Sequence, residues 1–143
     1  MQVRNSQFEK SLLNKVARVA NSLEREVEKE LKVSLKLTFS QLRVLNGLAV
    51  MGEASQRKLA MALEVTPAVI TRQAEVLRRQ GLVEQRAVSK RENVLILTGK
   101  GEGAVEDGTK IVEECRVRVL GPLSRKDEVA FENAVDLLEK GLA

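Results

Sequence analysis

Residues Ser55–Gly101 read SQRKLAMALEVTPAVITRQAEVLRRQGLVEQRAVSKRENVLILTGKG, and the punctuation of this stretch decides the fold. Ser55 is a good cap for a short helix, Gln56 to Leu63, with Leu59, Ala60 and Leu63 inward. Thr66 caps a second helix, and Pro67 in its first turn forfeits no hydrogen bond because that amide has no intrahelical acceptor. This helix runs to Gln80 with Ile70, Ala74 and Leu77 inward at spacings of four and three, and Gly81 suits the left-handed residue that ends it. The period then changes. Leu82–Arg86 and Asn93–Thr98 are β-rich segments separated by the polar stretch Ala87–Glu92, which predicts a hairpin with a charged tip. Two short helices followed by such a hairpin form a winged helix-turn-helix.

Outward from this centre the chain is helical. Upstream, Thr38 or Ser40 can cap a helix through Leu42, Leu45, Leu48 and Ala49 to Gly52. Before it, Phe8, Leu12, Val16, Val19, Leu23, Val27 and Leu31 form one helical stripe, followed by a connector at Lys32–Lys36. A helix from Phe8 to Leu31 is about 36 Å long, more than a small domain can cover, so a partner chain is the simplest cover for part of the stripe. Downstream, Lys100–Leu120 carries Val105, Val112, Cys115 and Val119 and stops at Gly121-Pro122. Ser124, with Asp127 three residues later, opens a last helix whose Phe131, Ala134, Val135 and Leu138 are expected inward. The fold class is mainly α with a small β-hairpin wing.

Composition removes whole classes of chemistry. The 143 residues suit one compact domain, or one small domain with extensions. There is no His, and Cys115 is the single cysteine, so nucleophile triads, the usual zinc sites and an intrachain disulfide are unavailable. The acidic residues are scattered along polar helix faces. The reading is therefore no enzyme, no catalytic residue, no metal and no cofactor. The apolar run Leu48–Met51 falls far short of the roughly 20 residues that span a bilayer. Charges of both signs fill the first thirty residues, leaving no secretory signal; a cytoplasmic protein without a membrane partner is expected. Cys115, on an apolar stripe, reads as a packing residue, with Arg116 pointing elsewhere. Gly99, Gly101 and Gly103 have the wrong spacing for a phosphate-binding loop and read as a strand-to-helix turn.

The net charge of +4 is concentrated in the middle. Ser55–Asn93 holds eight Lys/Arg against four acids, and the flanks balance to zero, which points to a polyanion contact in the centre. A helix fits the major groove of duplex DNA, and its N-terminal turns reach base edges. Here that turn offers Thr66, Ala68, Val69, Thr71, Arg72 and Gln73. Small residues allow close approach, Val69 can meet a thymine methyl, and Arg72 can fork onto guanine, while Thr66 and Thr71 suit phosphate. The three aromatics, Phe8, Phe39 and Phe131, are not placed to stack bases, which argues against RNA.

The stretches LTFSQLRVLNGLA (37–49), Ser55–Arg86 and SKRENVLILTGKG (89–101) resemble the MarR/SlyA family of transcriptional regulators. The resemblance implies a triangular homodimer with interlocked first and last helices, reading a pseudo-palindromic operator in double-stranded DNA, commonly as a repressor. It also implies an effector pocket between dimer domain and reading head, often for a small aromatic or anionic molecule. On this pattern 1–36 is an N-terminal dimerisation helix, 37–99 the winged DNA-binding domain and 100–143 the C-terminal dimerisation helices. Ala68, Val69 and Arg72 fall on base-contacting positions, and Ser89, Lys90 and Arg91 on the wing, with Arg91 matching the arginine that enters the minor groove. Two departures stand out: Ser89 replaces the family's wing Asp, and Pro67 with Val69 makes the reading helix more apolar. The competing reading is a winged module for protein–protein assembly without sequence-specific DNA binding, which would not need a basic wing tip and a capped reading helix together.

Overall fold

The computed structural model describes residues 7–143; the first six positions of the expected N-terminal arm lie outside the described residues. The described elements are α1 (Leu12–Leu35), α2 (Phe39–Met51), β1 (Glu53–Ser55), α3 (Gln56–Ala62), α4 (Pro67–Arg79), β2 (Val83–Ala87), β3 (Asn93–Leu97), α5 (Gly99–Leu120) and α6 (Arg125–Leu142).

Local capping chemistry sets most boundaries. Thr38 Oγ1 accepts the Gln41 N–H at 3.1 Å while Gln41 Oε1 accepts the Thr38 N–H at 3.0 Å, a reciprocal box that chooses Thr38 over Ser40. Ser55, Thr66, Thr98 and Ser124 cap α3, α4, α5 and α6 in the same one-sided way. Gly81 takes φ +73° at the end of α4, as its position predicts.

Several expectations need correcting. The first helix runs from Leu12 to Leu35, not Phe8 to Leu31: Ser11 accepts the Asn14 N–H and caps it, leaving Phe8 in the preceding turn. The expected connector is helical up to Lys36, whose left-handed φ of 55° ends the helix. The wing gains a strand, since β1 pairs antiparallel with β3 to give the order β1-β3-β2. Thr98, expected at the end of the strand, is the cap of α5, and Ala87, expected in the loop, pairs with Asn93. Finally, the stripe of α6 is not inward. Phe131 is 47% and Leu138 61% exposed, and no residue of α6 is buried. Among the described residues no element covers its apolar side chains, and that face stays open.

The core is built mainly by the centre of the chain. Leu31, Leu37, Leu45, Leu48, Leu59, Ile70, Leu77 and Leu95 are fully buried, joining α1, α2, α3, α4 and β3 around one cluster. Each such side chain stabilises the fold by about 1.5–3 kcal/mol of transfer free energy. Along α1 only Val27 and Leu31 are buried, while Val16 and Val19 remain about half exposed. The helix is therefore anchored at its C-terminal end, where the Phe39 N–H also donates to Glu28 Oε1 at 3.1 Å.

The long helix α5 reaches the head through its small residues. A methyl on Gly108 would lie 2.4 Å from Leu42 Cδ1, so the missing side chain is what lets α5 and α2 approach. Farther along, Arg116 bonds Glu113 on its own helix and Glu128 on α6, bracing the α5–α6 turn. The hydrogen bond from Arg116 holds the Glu113 carboxyl below the ordinary carboxylate range.

Cys115 is buried, in keeping with a packing thiol, although Arg118 rather than Arg116 approaches it, with Nη2 3.5 Å from Sγ. Cys115→Ala is expected to lower stability by about 1 kcal/mol in chemical denaturation, the usual scale for a small buried side chain. Duplex binding and its response to peroxide should match wild type; oxidant sensitivity present in wild type and absent from the variant would overturn the packing role.

Candidate nucleic-acid interface

The candidate surface is the exposed start of α4 with the hairpin beside it. Thr66 sits in extended conformation before the helix, and its Oγ1 accepts the Val69 N–H at 3.4 Å. With Pro67 at the first helical position, this turn is preorganised, and its remaining amides point outward along the helix axis. Ile70, Ala74 and Leu77 anchor the opposite face in the core.

The structure sorts the six residues of this turn into two groups. Ala68 and Arg72 are exposed and one turn apart, and among the described residues the Arg72 guanidinium has no hydrogen bond or ion pair. Val69 is half-buried beside them. Thr71 and Gln73 are instead engaged with the protein. The Thr71 hydroxyl lies 2.7 Å from Gln56 Oε1 and 3.0 Å from the Pro67 carbonyl oxygen, both acceptors for its single proton. Gln73 turns back toward α2, donating through Nε2 to Ser40 Oγ at 3.4 Å. No local pattern links Thr71 to Gln56 or Gln73 to Ser40, because these partners lie 15 and 33 positions away.

In the wing, Val88–Glu92 closes the turn between β2 and β3. The Val88 and Ser89 N–H groups both reach the Glu92 carbonyl oxygen, at 3.0 and 3.3 Å. Ser89 Oγ accepts the Arg91 N–H at 3.3 Å. A hydroxyl thus closes the tip locally at the position where the family carries Asp. Lys90 and Arg91 are exposed, and among the described residues their side chains have no partner. Two other basic residues of the head are neutralised: Arg79 pairs with Glu75, and Arg86 reaches across β3 to Glu53. Pairing of this kind separates the basic residues in a way that counting charges along the sequence did not.

Residues 35–91 match the family model described as MarR family. The matched stretch takes in the whole of α2 to α4 and most of the wing, so the reading head is similar to that family. No curated protein sequence matches the chain at a significant level. Solved structures share the fold over nearly the whole chain. The reduced form of MarR from E. coli superposes with a TM-score of 0.81 at 23% identity, covering 93% of this chain and 97% of that one. BpsR of Bordetella bronchiseptica, studied for regulation of its DNA binding by 6-hydroxynicotinic acid, gives 0.81 at 20%, covering 94% and 98%. The Mycobacterium tuberculosis MarR family protein Rv2887, in complex with salicylic acid, gives 0.74 at 26%, covering 90% and 96%. In this MarR-type frame a second feature becomes visible, a cleft of about 290 Å³ between α2 and α5 lined by Phe39, Leu42, Arg43, Asn46, Thr109 and Val112. The sequence reading identified no effector residue, since these six come from two helices distant in the chain. Among the described residues no helix is long and apolar enough to cross a membrane.

Proposed function

We propose that the chain is a homodimeric transcriptional regulator that binds a pseudo-palindromic site in double-stranded DNA and acts as a repressor. One observation carries this reading. Among the described residues the start of α4, capped and exposed, presents an unpaired Arg72, and the adjoining hairpin presents unpaired Lys90 and Arg91, while Arg79 and Arg86 are neutralised by carboxylates. A helix start in the major groove and a basic tip at the adjacent minor groove use these groups as they stand. On this reading 37–99 is the DNA-binding domain, and 1–36 with 100–143 form the dimer. The open apolar faces of α1 and α6 support that division. A small aromatic anion would enter the α2–α5 cleft, where Phe39, Leu42 and Val112 supply apolar contact and Arg43 the charge.

Gel shifts with duplex fragments, including DNA upstream of the protein's own gene, test the proposal. The expected result is a retarded complex on one fragment that a scrambled duplex does not compete away, and its release by salicylate. No release would remove the aromatic-anion part; no complex on any duplex would leave the winged assembly module as the function. The two basic elements should then separate. Arg72→Ala should weaken the cognate site by about 1–3 kcal/mol and flatten preference at one base per half-site. Arg91→Ala should weaken cognate and scrambled duplexes alike and lower the salt slope by about one unit per chain. If both substitutions act equally on the two duplexes, Arg72 reads no base.

A further inference from the structure

Between α4 and β2 lies a second cleft, of about 400 Å³, whose lining includes Gln56, Thr71, Arg78 and Gln85. Two of its side chains, Arg78 and Gln56, keep donors free, while its acceptors Gln85 Oε1 and Glu75 Oε1 are already engaged. The Arg78 guanidinium is held by one arm, Nη1 donating to Gln85 Oε1 at 3.2 Å, so its other N–H groups have no partner among the described residues. Gln56 Oε1 is occupied by the Thr71 hydroxyl at 2.7 Å, which orients the amide and leaves its Nε2 hydrogens unpaired among the described residues. On the same wall Glu75 is taken up by Arg79, so the cleft keeps one uncompensated positive charge, that of Arg78.

We propose that this cleft seats a backbone phosphate of the bound duplex, with Arg78 and Gln56 as its donors. The inference rests on reading the head as a duplex binder and adds to it a contact between the two elements already described. With the start of α4 in the major groove and the wing tip at the neighbouring minor groove, one sugar–phosphate strand separates the two grooves. That strand has to cross the space between α4 and β2, and the Arg78 cleft is what it crosses. An arginine fixed by one hydrogen bond and offering its remaining N–H groups matches a phosphodiester, which accepts such a fork in two parallel bonds. The cleft is open to solvent and carries a single net charge, so it holds a free oxyanion weakly. A phosphate tethered to a duplex already bound at Arg72 and Arg91 arrives at high effective concentration.

The alternative role for Arg78 is local. It stands in the last turn of α4, where a cation offsets the helix dipole. A dipole role moves stability and leaves DNA binding alone, so the two are separable. Affinity against salt is measured on a duplex the wild type binds and on a scrambled one, with thermal melting in parallel. Arg78→Gln is expected to weaken both duplexes by about tenfold and to lower the salt slope by about one unit per chain. Arg78→Lys should keep the slope, because it keeps the charge. Gln56→Glu, which leaves Arg78 in place and sets a carboxylate against the phosphate, should weaken both duplexes as well. A melting shift for Arg78→Gln with affinity and slope unchanged overturns the proposal in favour of the dipole role. Stabilisation of the wild type but not of Arg78→Gln by inorganic phosphate at matched ionic strength overturns it in favour of a free-oxyanion site. Wild type that binds no duplex refutes the DNA reading itself, whereas binding indifferent to Arg78 and Gln56 refutes only this seat.

Discussion

Gly101→Ala is expected to lower stability by about 3 kcal/mol, a melting decrease on the order of 10 °C for a chain of this size. The added methyl would lie 2.0 Å from the Leu82 carbonyl oxygen and 3.2 Å from Leu97 Cδ2. The obstacle is backbone, and that backbone is tied on both sides. Leu82 O accepts the Thr98 N–H at 3.1 Å, the Leu82 N–H donates to Leu77 O at 2.9 Å, and the Thr98 hydroxyl donates to Gly81 O at 2.6 Å. These bonds join the end of α4, the root of the wing and the start of α5, so the carbonyl has no cheap direction in which to move. Gly103→Ala, two residues along the same helix, is the internal control. Nothing lies within 4 Å of its methyl, and helix propensity favours alanine there by up to about 1 kcal/mol. Thermal unfolding followed by circular dichroism checks both. A Gly101→Ala variant within about 0.5 kcal/mol of wild type would mean that α5 does not approach the wing as closely as described.

The second large effect is on assembly. Sedimentation of the wild type should give about twice the 15.8 kDa chain mass, and the double variant Leu12→Asp, Leu138→Asp should sediment as a single chain. Leu12 is 76% and Leu138 61% exposed in the isolated chain, on the N-terminal part of α1 and on α6, where the apolar side chains lie open among the described residues. If a second copy covers them, a carboxylate at each position must be desolvated without a partner, which such an interface does not tolerate. The head's core is remote from both sites, so the variant should keep its helical signal. A wild type that is folded and monomeric at micromolar concentration would refute the dimer.

The amino-acid sequence alone determines what depends on near neighbours in the chain. A cap and its target amide are three residues apart, a helical stripe repeats at three and four, and a left-handed Gly81 follows from the turn it ends. Thr66, Pro67 and Gly81 therefore bounded the reading helix to within a residue, and Ser124 announced the last one. Tertiary structure alone decided which of those patterns are satisfied within the chain. The stripes of α1 and α6 resemble that of α4, yet only α4 has a core beneath it along its whole length. The strand β1 exists because β3 lies alongside it with bonds to offer, not because Glu53–Ser55 is β-rich. Likewise Thr71 and Gln73, equivalent to Arg72 as polar residues on a basic helix, are engaged by Gln56 and Ser40. Periodicity states which face a helix would bury. It carries no term for what another part of the chain, tens of residues away, brings to that face, and this term leaves Arg72, Lys90 and Arg91 unpaired among the described residues while it neutralises Arg79 and Arg86.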